Sequence, residues 1–404
     1  MWFNKKDLTI KPIINIKDLH GYVLPHAGTA YTGKIISDTL RFRPCKKIKK
    51  IIILYYPSSK NPNITEYNMT YYHEYYVPWK CLDYILGNNT IIYEGYNITD
   101  IFTKKIDINI IKQSFNLDDT LIVVSSDFSH FLDFNEAIEL ENKAAHALMF
   151  RELQDSAYIK IVDDVKTYKV LYEIIPNRLN LQWIGRSRSP GEKGVGYLSF
   201  LLREKNLPNT LIPKLLPDGM FVTAFDENMN ARECLGNWFS NNNNSNSKSK
   251  SKNVSSIWNI NTEKELINKV INLARTTSRL TGGQYLNTPV SNYTVTYLYK
   301  EKDTSHNFIR GYHGILYNAF YLPEVFLENT FNNGRWIKDT DTTWISGYNF
   351  NLSETFSKLN IKAGVSRSTR NTKTLTKKRQ TQTQNNNYTI YRSDVIHYKI
   401  INKS

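Results

Sequence analysis

The stretch TLIVVSSDFSH, Thr120 to His130, runs four apolar residues together and then stops at a polar segment carrying an aspartate and a histidine. A short, continuous, β-branched run of this kind reads as a strand buried on both faces of a parallel sheet, with functional groups just past its carboxyl end. KKIIILYYPSS (49–59) has the same form. FNEAIELENKAAHALMFREL (134–153) follows the first run and is strongly helix-forming, and VGYLSFLLREK (195–205) reads as a further buried helix. Strands alternating with helices predict an α/β sandwich.

Upstream, LPHAGTAYTG (24–33) packs a histidine and two glycines into ten residues. Pro25 ends a strand over Tyr22–Leu24, and Thr32 is placed to cap a helix beginning near Gly33. His26 then sits at the carboxyl end of a strand beside a helix N-terminus, where ligands gather in α/β sheets. Asp127 and His130, three apart on a turn, have the spacing to share a metal or to form a base and its orienting partner. Equally, Asp127 caps a turn and a His–Asp bond staples two loops; from spacing alone both readings stand.

The proline-dotted stretch REKNLPNTLIPKLLPDG (203–219) reads as a junction between two domains, 1–205 and 206–404. Beyond it GMFVTAF (219–225) is a strand. Thr262 and Glu265 have capping-box spacing ahead of LINKVINLARTTSRL (266–280), in which Leu266, Ile267, Val270, Ile271 and Ala274 share a helix face. YTVTYLYK (293–300) alternates as a half-exposed strand, and GYHGILYNAFYLPEV (311–325) reads as strand, turn and second strand, making this half α+β.

Of the net charge of +15, nine charges lie in two acid-free segments, 240–253 and 366–387. Their Ser, Asn, Gln and Lys content predicts solvated, disordered excursions, near 240–256 and 366–387, with weak polyanion or RNA binding as their available function. The rest of the chain has no basic stripe interleaved with aromatics, so the charge does not define a nucleic-acid groove. Three widely spaced cysteines form neither a disulfide framework nor a metal motif and fit a reducing cytoplasm or nucleus. The N-terminal segment lacks the apolar core of a secretion signal, and no run is long enough to span a bilayer.

LPHAGTAYTG and LIVVSSDFSHF together resemble the MEMO family over residues 15–205. That resemblance implies an α/β sandwich similar to the class III extradiol dioxygenases, with a non-haem metal pocket. GMFVTAF, ARECLGNW, GYHGILYNAFYLPEV, NIKAGV and IYRSDVIHYKI resemble an AMMECR-type α+β domain over residues 210–404. The MEMO metal triad of two histidines and a cysteine aligns with His26, with Ser59 in YYPSSK and with Ile184 in WIGRSRS. A hydroxyl and a branched alkyl group do not replace imidazole and thiolate toward copper, iron or zinc. The resemblance therefore implies a degraded site with no cofactor, or a divalent or redox metal only if the pocket is repurposed. In the second half, Glu233 stands where the family has glycine; Cys234 is a nucleophile candidate with His313 as its base, or else part of a buried turn. His20, His73, His146, His306 and His397 carry no motif and read as structural or exposed.

These readings converge on a divergent MEMO–AMMECR fusion that acts as a binding or regulatory protein toward a protein or small molecule. Its rivals are a metal-dependent redox enzyme using His26, Asp127 and His130, and an RNA- or scaffold-binding protein acting through the basic segments.

Overall fold

The computed structural model describes residues 2–57, 72–87, 90–190, 193–204, 216–239, 254–256, 259–301, 309, 311–317, 319–328, 359 and 388–400. Ser59, Lys60, His306, the NIKAGV segment, the 366–387 segment and 240–253 lie outside them. In the first half the elements run β1 (Ile14–Ile16), β2 (Leu19–Leu24), α1 (Thr29–Thr39), β3 (Phe42–Pro44), β4 (Lys50–Tyr55), α2 (His73–Leu86), β5 (Ile92–Asn97), α3 (Ile98–Phe102), α4 (Ile108–Ser114), β6 (Thr120–Ser125), α5 (Phe134–Phe150), α6 (Ala157–Lys160), α7 (Val165–Ile174), β7 (Leu179–Arg188) and β8 (Gly196–Glu204). The second half adds β9 (Gly219–Asp226), β10 (Ala231–Phe239), β11 (Val254–Ser256), α8 (Ile260–Thr276), β12 (Val290–Lys300), β13 (His313–Tyr317), β14 (Ala319–Tyr321), α9 (Pro323–Glu328) and β15 (Thr389–Lys399).

The first sheet has the order β5-β4-β6-β2-β8-β7, parallel from β5 to β2. Alternate residues of its central strands feed two separate cores. Val23, Ile52, Leu54, Ile122 and Val124 pack toward α5 and α7, whereas Leu24, Ile51, Ile53, Leu121 and Val123 pack toward α1 and α2. Helices thus cover both faces, which is why these strands are apolar without alternation. The chain is mixed α/β, as the sequence predicts.

VGYLSFLLREK is not a helix. It forms β8, hydrogen-bonded antiparallel to β2 on one side and to β7 on the other. A continuous apolar run carries no period, so strand and helix are indistinguishable until its neighbours are known. Two caps also differ from expectation. Helix α1 starts at Thr29 behind Gly28, so Thr32 lies inside its first turn and its hydroxyl donates back to the Ala27 carbonyl at 2.8 Å. The capping box of α8 is Asn259 with Thr262, three residues ahead of the expected pair. Asn259 wins because its short amide reaches the Asn261 and Thr262 amides from an extended backbone.

The second sheet has the order β11-β10-β9-β12-β15-β13-β14. It begins at Gly219, beyond the proline-dotted stretch whose residues 205–215 lie outside the described ones. One face packs on α8 through Val222, Val295, Tyr297 and Ile396. The other turns toward α5 of the first half, where Phe225 meets Ala147 and Phe150. Strand β12 is therefore buried on both faces rather than half-exposed; its outward Thr294 and Thr296 line a cavity between the second sheet and the first half.

Two further contacts join the halves. Gly311, at φ +79°, lies against the carbonyl of Ile184, and a methyl group there would collide with that oxygen. The Arg203 guanidinium bridges Asp18 at 2.9 Å and Asp394 at 3.3 Å, while Asp394 also accepts from Arg392 at 2.9 Å. Replacing Arg203 with Met should cost about 2 kcal/mol in urea unfolding. That is less than the usual loss for a broken buried pair, because Asp394 keeps its second arginine. A cost below about 0.5 kcal/mol would show that Arg203 does not tie the halves.

Candidate functional site

Parallel pairing of β2 with β6 puts Leu24 opposite Ser125, so His26 and Asp127 emerge side by side, two residues past their strand ends. The His26 amide donates to Asp127 Oδ1 at 2.9 Å. Its ring lies between three groups. Nδ1 is 3.0 Å from Ser125 Oγ, and Nε2 is 3.1 Å from Asp163 Oδ2 and 3.8 Å from Asp127 Oδ2. Asp163 comes from the loop between α6 and α7, whose amide bonds the Asp127 carbonyl at 3.2 Å. His26 and Asp127 are each 4% exposed.

The protons on this ring follow from its neighbours. Ser125 has one hydroxyl hydrogen, and it goes to the Glu74 carbonyl. The Ser125 oxygen can then only accept from Nδ1, so Nδ1 carries a hydrogen. Nε2 faces two carboxylates and carries one as well. His26 is an imidazolium. Burial alone would push its pKa down, but Asp127 and Asp163 outweigh that and lift it to about 9. Burial raises Asp127 despite the facing imidazolium, whereas for Asp163 the His26 hydrogen bond and charge overcome burial and lower it.

His73, at the start of α2, sets its ring edge-on to His26 with centroids 5.4 Å apart and places Nδ1 3.3 Å from Glu74 Oε2. Trp2 stacks on the outer face of His73 at 4.3 Å. Burial lowers the His73 pKa, so this second imidazole adds no permanent charge.

The expected trio is thus only partly assembled. His26 and Asp127 meet, while His130 is exposed and bridged through its backbone to Val195. Asp163 and His73 complete the cluster. Neither belongs to a motif, and only the closure of the sheet brings them in, so local sequence carries no signal for them. Ile184 is buried on β7 in the core with Tyr312. Ser59 lies outside the described residues.

The rest of the SSDFSH and WIGRSRS segments builds a second buried charge cluster. Glu141 of α5 accepts from Arg186 at 2.6 Å and from Ser129, with Arg188 at 3.5 Å. Arg188 also donates to Ser129 Oγ at 3.0 Å and to the Leu132 carbonyl at 2.9 Å.

In the second half, Cys234 and His313 are not partners. Strands β9, β12 and β15 lie between their strands, roughly 19 Å of sheet. His313 Nδ1 accepts from the Ile309 amide at 2.9 Å, which staples the GYHG turn. The Cys234 sulfur accepts from Thr223 at 3.2 Å. Glu233 is a buried carboxylate held by Arg279 at 2.7 Å.

No protein-family model matches the chain, and no curated protein matches it. Among the described residues no helix is long and apolar enough to cross a membrane, and no group of three or more His, Cys, Asp or Glu side chains has the geometry of a metal site.

Proposed function

We propose that the chain is a divergent MEMO–AMMECR-type protein that works by binding, and that its His26 centre is an electrostatic pin where the resemblance implies a metal. The supporting observation is the set of partners around the His26 ring, from which its protons follow. A metal-ligating imidazole needs a bare nitrogen lone pair, and both His26 nitrogens donate, one to Ser125 and one to Asp163. Ile184, an apolar core residue, supplies no donor. The described residues of this centre do not fit a copper, iron or zinc ion. As an imidazolium His26 is also no general base at neutral pH. Its role is to hold the loops after β2 and β6 and the loop before α7 in one arrangement.

Elemental analysis of the purified full chain, after incubation with zinc, iron(II) or copper, tests this. The expected result is well below one equivalent of each, unchanged in a His26→Gln variant. One tightly held equivalent, lost on His26→Gln, would overturn the proposal in favour of a metal-dependent enzyme built on His26 and Asp127.

A further inference from the structure

Between the two halves lies a cavity of about 410 Å³, within the range of small-molecule sites. Its floor is the outward face of the second sheet. Register aligns Cys234, Thr223, Thr294 and His397 in one row across β10, β9, β12 and β15. Its roof comes from His146 and Met149 of α5 and from Glu324 and Glu328 of α9. Phe221, Phe225 and Phe320 add flat apolar walls.

His146 is the informative residue. It is 5% exposed, and its ring lies 4.6 Å from that of Phe225. Nε2 pairs with Glu328 Oε1 at 2.7 Å, whereas Nδ1 is buried with no partner among the described residues. A ring nitrogen facing a carboxylate carries the hydrogen, so in the neutral form of the ring Nδ1 presents a lone pair. A buried acceptor left unsatisfied is costly unless something donates to it. Among the described residues the lining holds two glutamates and two histidines, and neither lysine nor arginine. Burial lifts Glu324 to about 7, so this carboxyl is poised to ionise against an incoming positive charge.

We propose that this cavity is a binding site for a compact aromatic molecule whose polar end is an N–H donor, neutral or cationic, such as an aryl alkylamine. The ring lies among the three phenylalanines, and the nitrogen donates to His146 Nδ1 and the adjoining glutamates. An anion of the same shape is rejected, because the wall offers it acceptors and negative charge. This inference builds on the binding reading but is independent of the state of the His26 centre, so metal analysis and ligand binding fail separately.

The half-buried Cys234 thiol on the floor reports occupancy. Alkylation of the full chain by iodoacetamide is followed by peptide mass spectrometry, with the exposed Cys45 as the internal reference. Tryptamine and indole-3-propionate serve as matched probes of opposite charge. Tryptamine should slow Cys234 alkylation at least tenfold at saturation and leave Cys45 unchanged, while indole-3-propionate has no effect. His146→Phe, which keeps the ring but removes the acceptor, should abolish protection. Ala231→Phe, which fills the cavity from β10, should abolish it too without lowering the melting temperature. No protection by tryptamine, equal protection by both probes, or full protection in folded His146→Phe would each overturn the proposal.

Discussion

Glu141→Ala should lower the melting temperature by on the order of 10 °C, the largest single effect expected in the first half. Glu141, Arg186 and Arg188 are each no more than 2% exposed. Removing the carboxylate strands two guanidiniums in the core, a loss of about 3–5 kcal/mol, and each kcal/mol shifts melting by roughly 2–4 °C for a unit of about 200 residues such as the first half. Glu141→Gln should recover only part of this, because an amide still accepts a hydrogen bond but no longer neutralises the pair. Gly196→Ala is a useful companion, since its methyl would collide with the Glu141 carboxylate from the neighbouring strand. Thermal melts of the three variants, with circular dichroism to establish that they fold, check the expectation. A Glu141→Ala shift under about 3 °C would mean that water reaches the guanidiniums.

Stability should fall as pH rises from about 6.5 to 9. The folded His26 pKa of about 9 stands above its ordinary 6.5, so its contribution is complete below 6.5 and disappears as pH passes 9. The difference amounts to about 3 kcal/mol. The partners titrate elsewhere. Asp127, raised from 3.8, begins to cost stability above that value; the gain from Asp163, lowered from 3.8, is already complete there. His73, lowered from 6.5, costs stability only below 6.5. Urea unfolding at pH 6, 7, 8 and 9 should show the decline, and His26→Gln should flatten it. An equal decline in both proteins would assign the slope to other groups.

Much of this was readable from residue order alone. The runs 120–125 and 50–55 are strands because their neighbours in the sheet bury both faces, and continuous β-branched residues have no other economical place. Gly28 and Pro25 mark the turn that carries His26, and the strand ends that hold His26 and Asp127 follow from the same pattern. What local sequence did not contain was the third dimension of the site. Asp163 sits in a polar loop like many others, and His73 heads a helix with no motif. His130, three residues after Asp127 in the chain, is exposed where its backbone bridges to Val195 just before β8. The reading of β8 as a helix has the same origin: its ladder partners, β7 just before it and β2 far back in the chain, decide strand against helix, and no local period records them. The pairing of Cys234 with His313 failed on sheet order, which sequence proximity to known motifs does not encode.

The position of β15 sets a timetable for biosynthesis. Its residues, 389–399, emerge last among the described strands, yet it lies between β12 and β13 in the interior of the sheet. A ribosome still short of Thr389 has released two strands with bare edges, and Arg203 with only one of its two aspartates. Such edges invite pairing with other chains. The nascent protein spends this interval exposed, and a chaperone that shields strand edges would act there, after the first sheet has formed and before the second has closed.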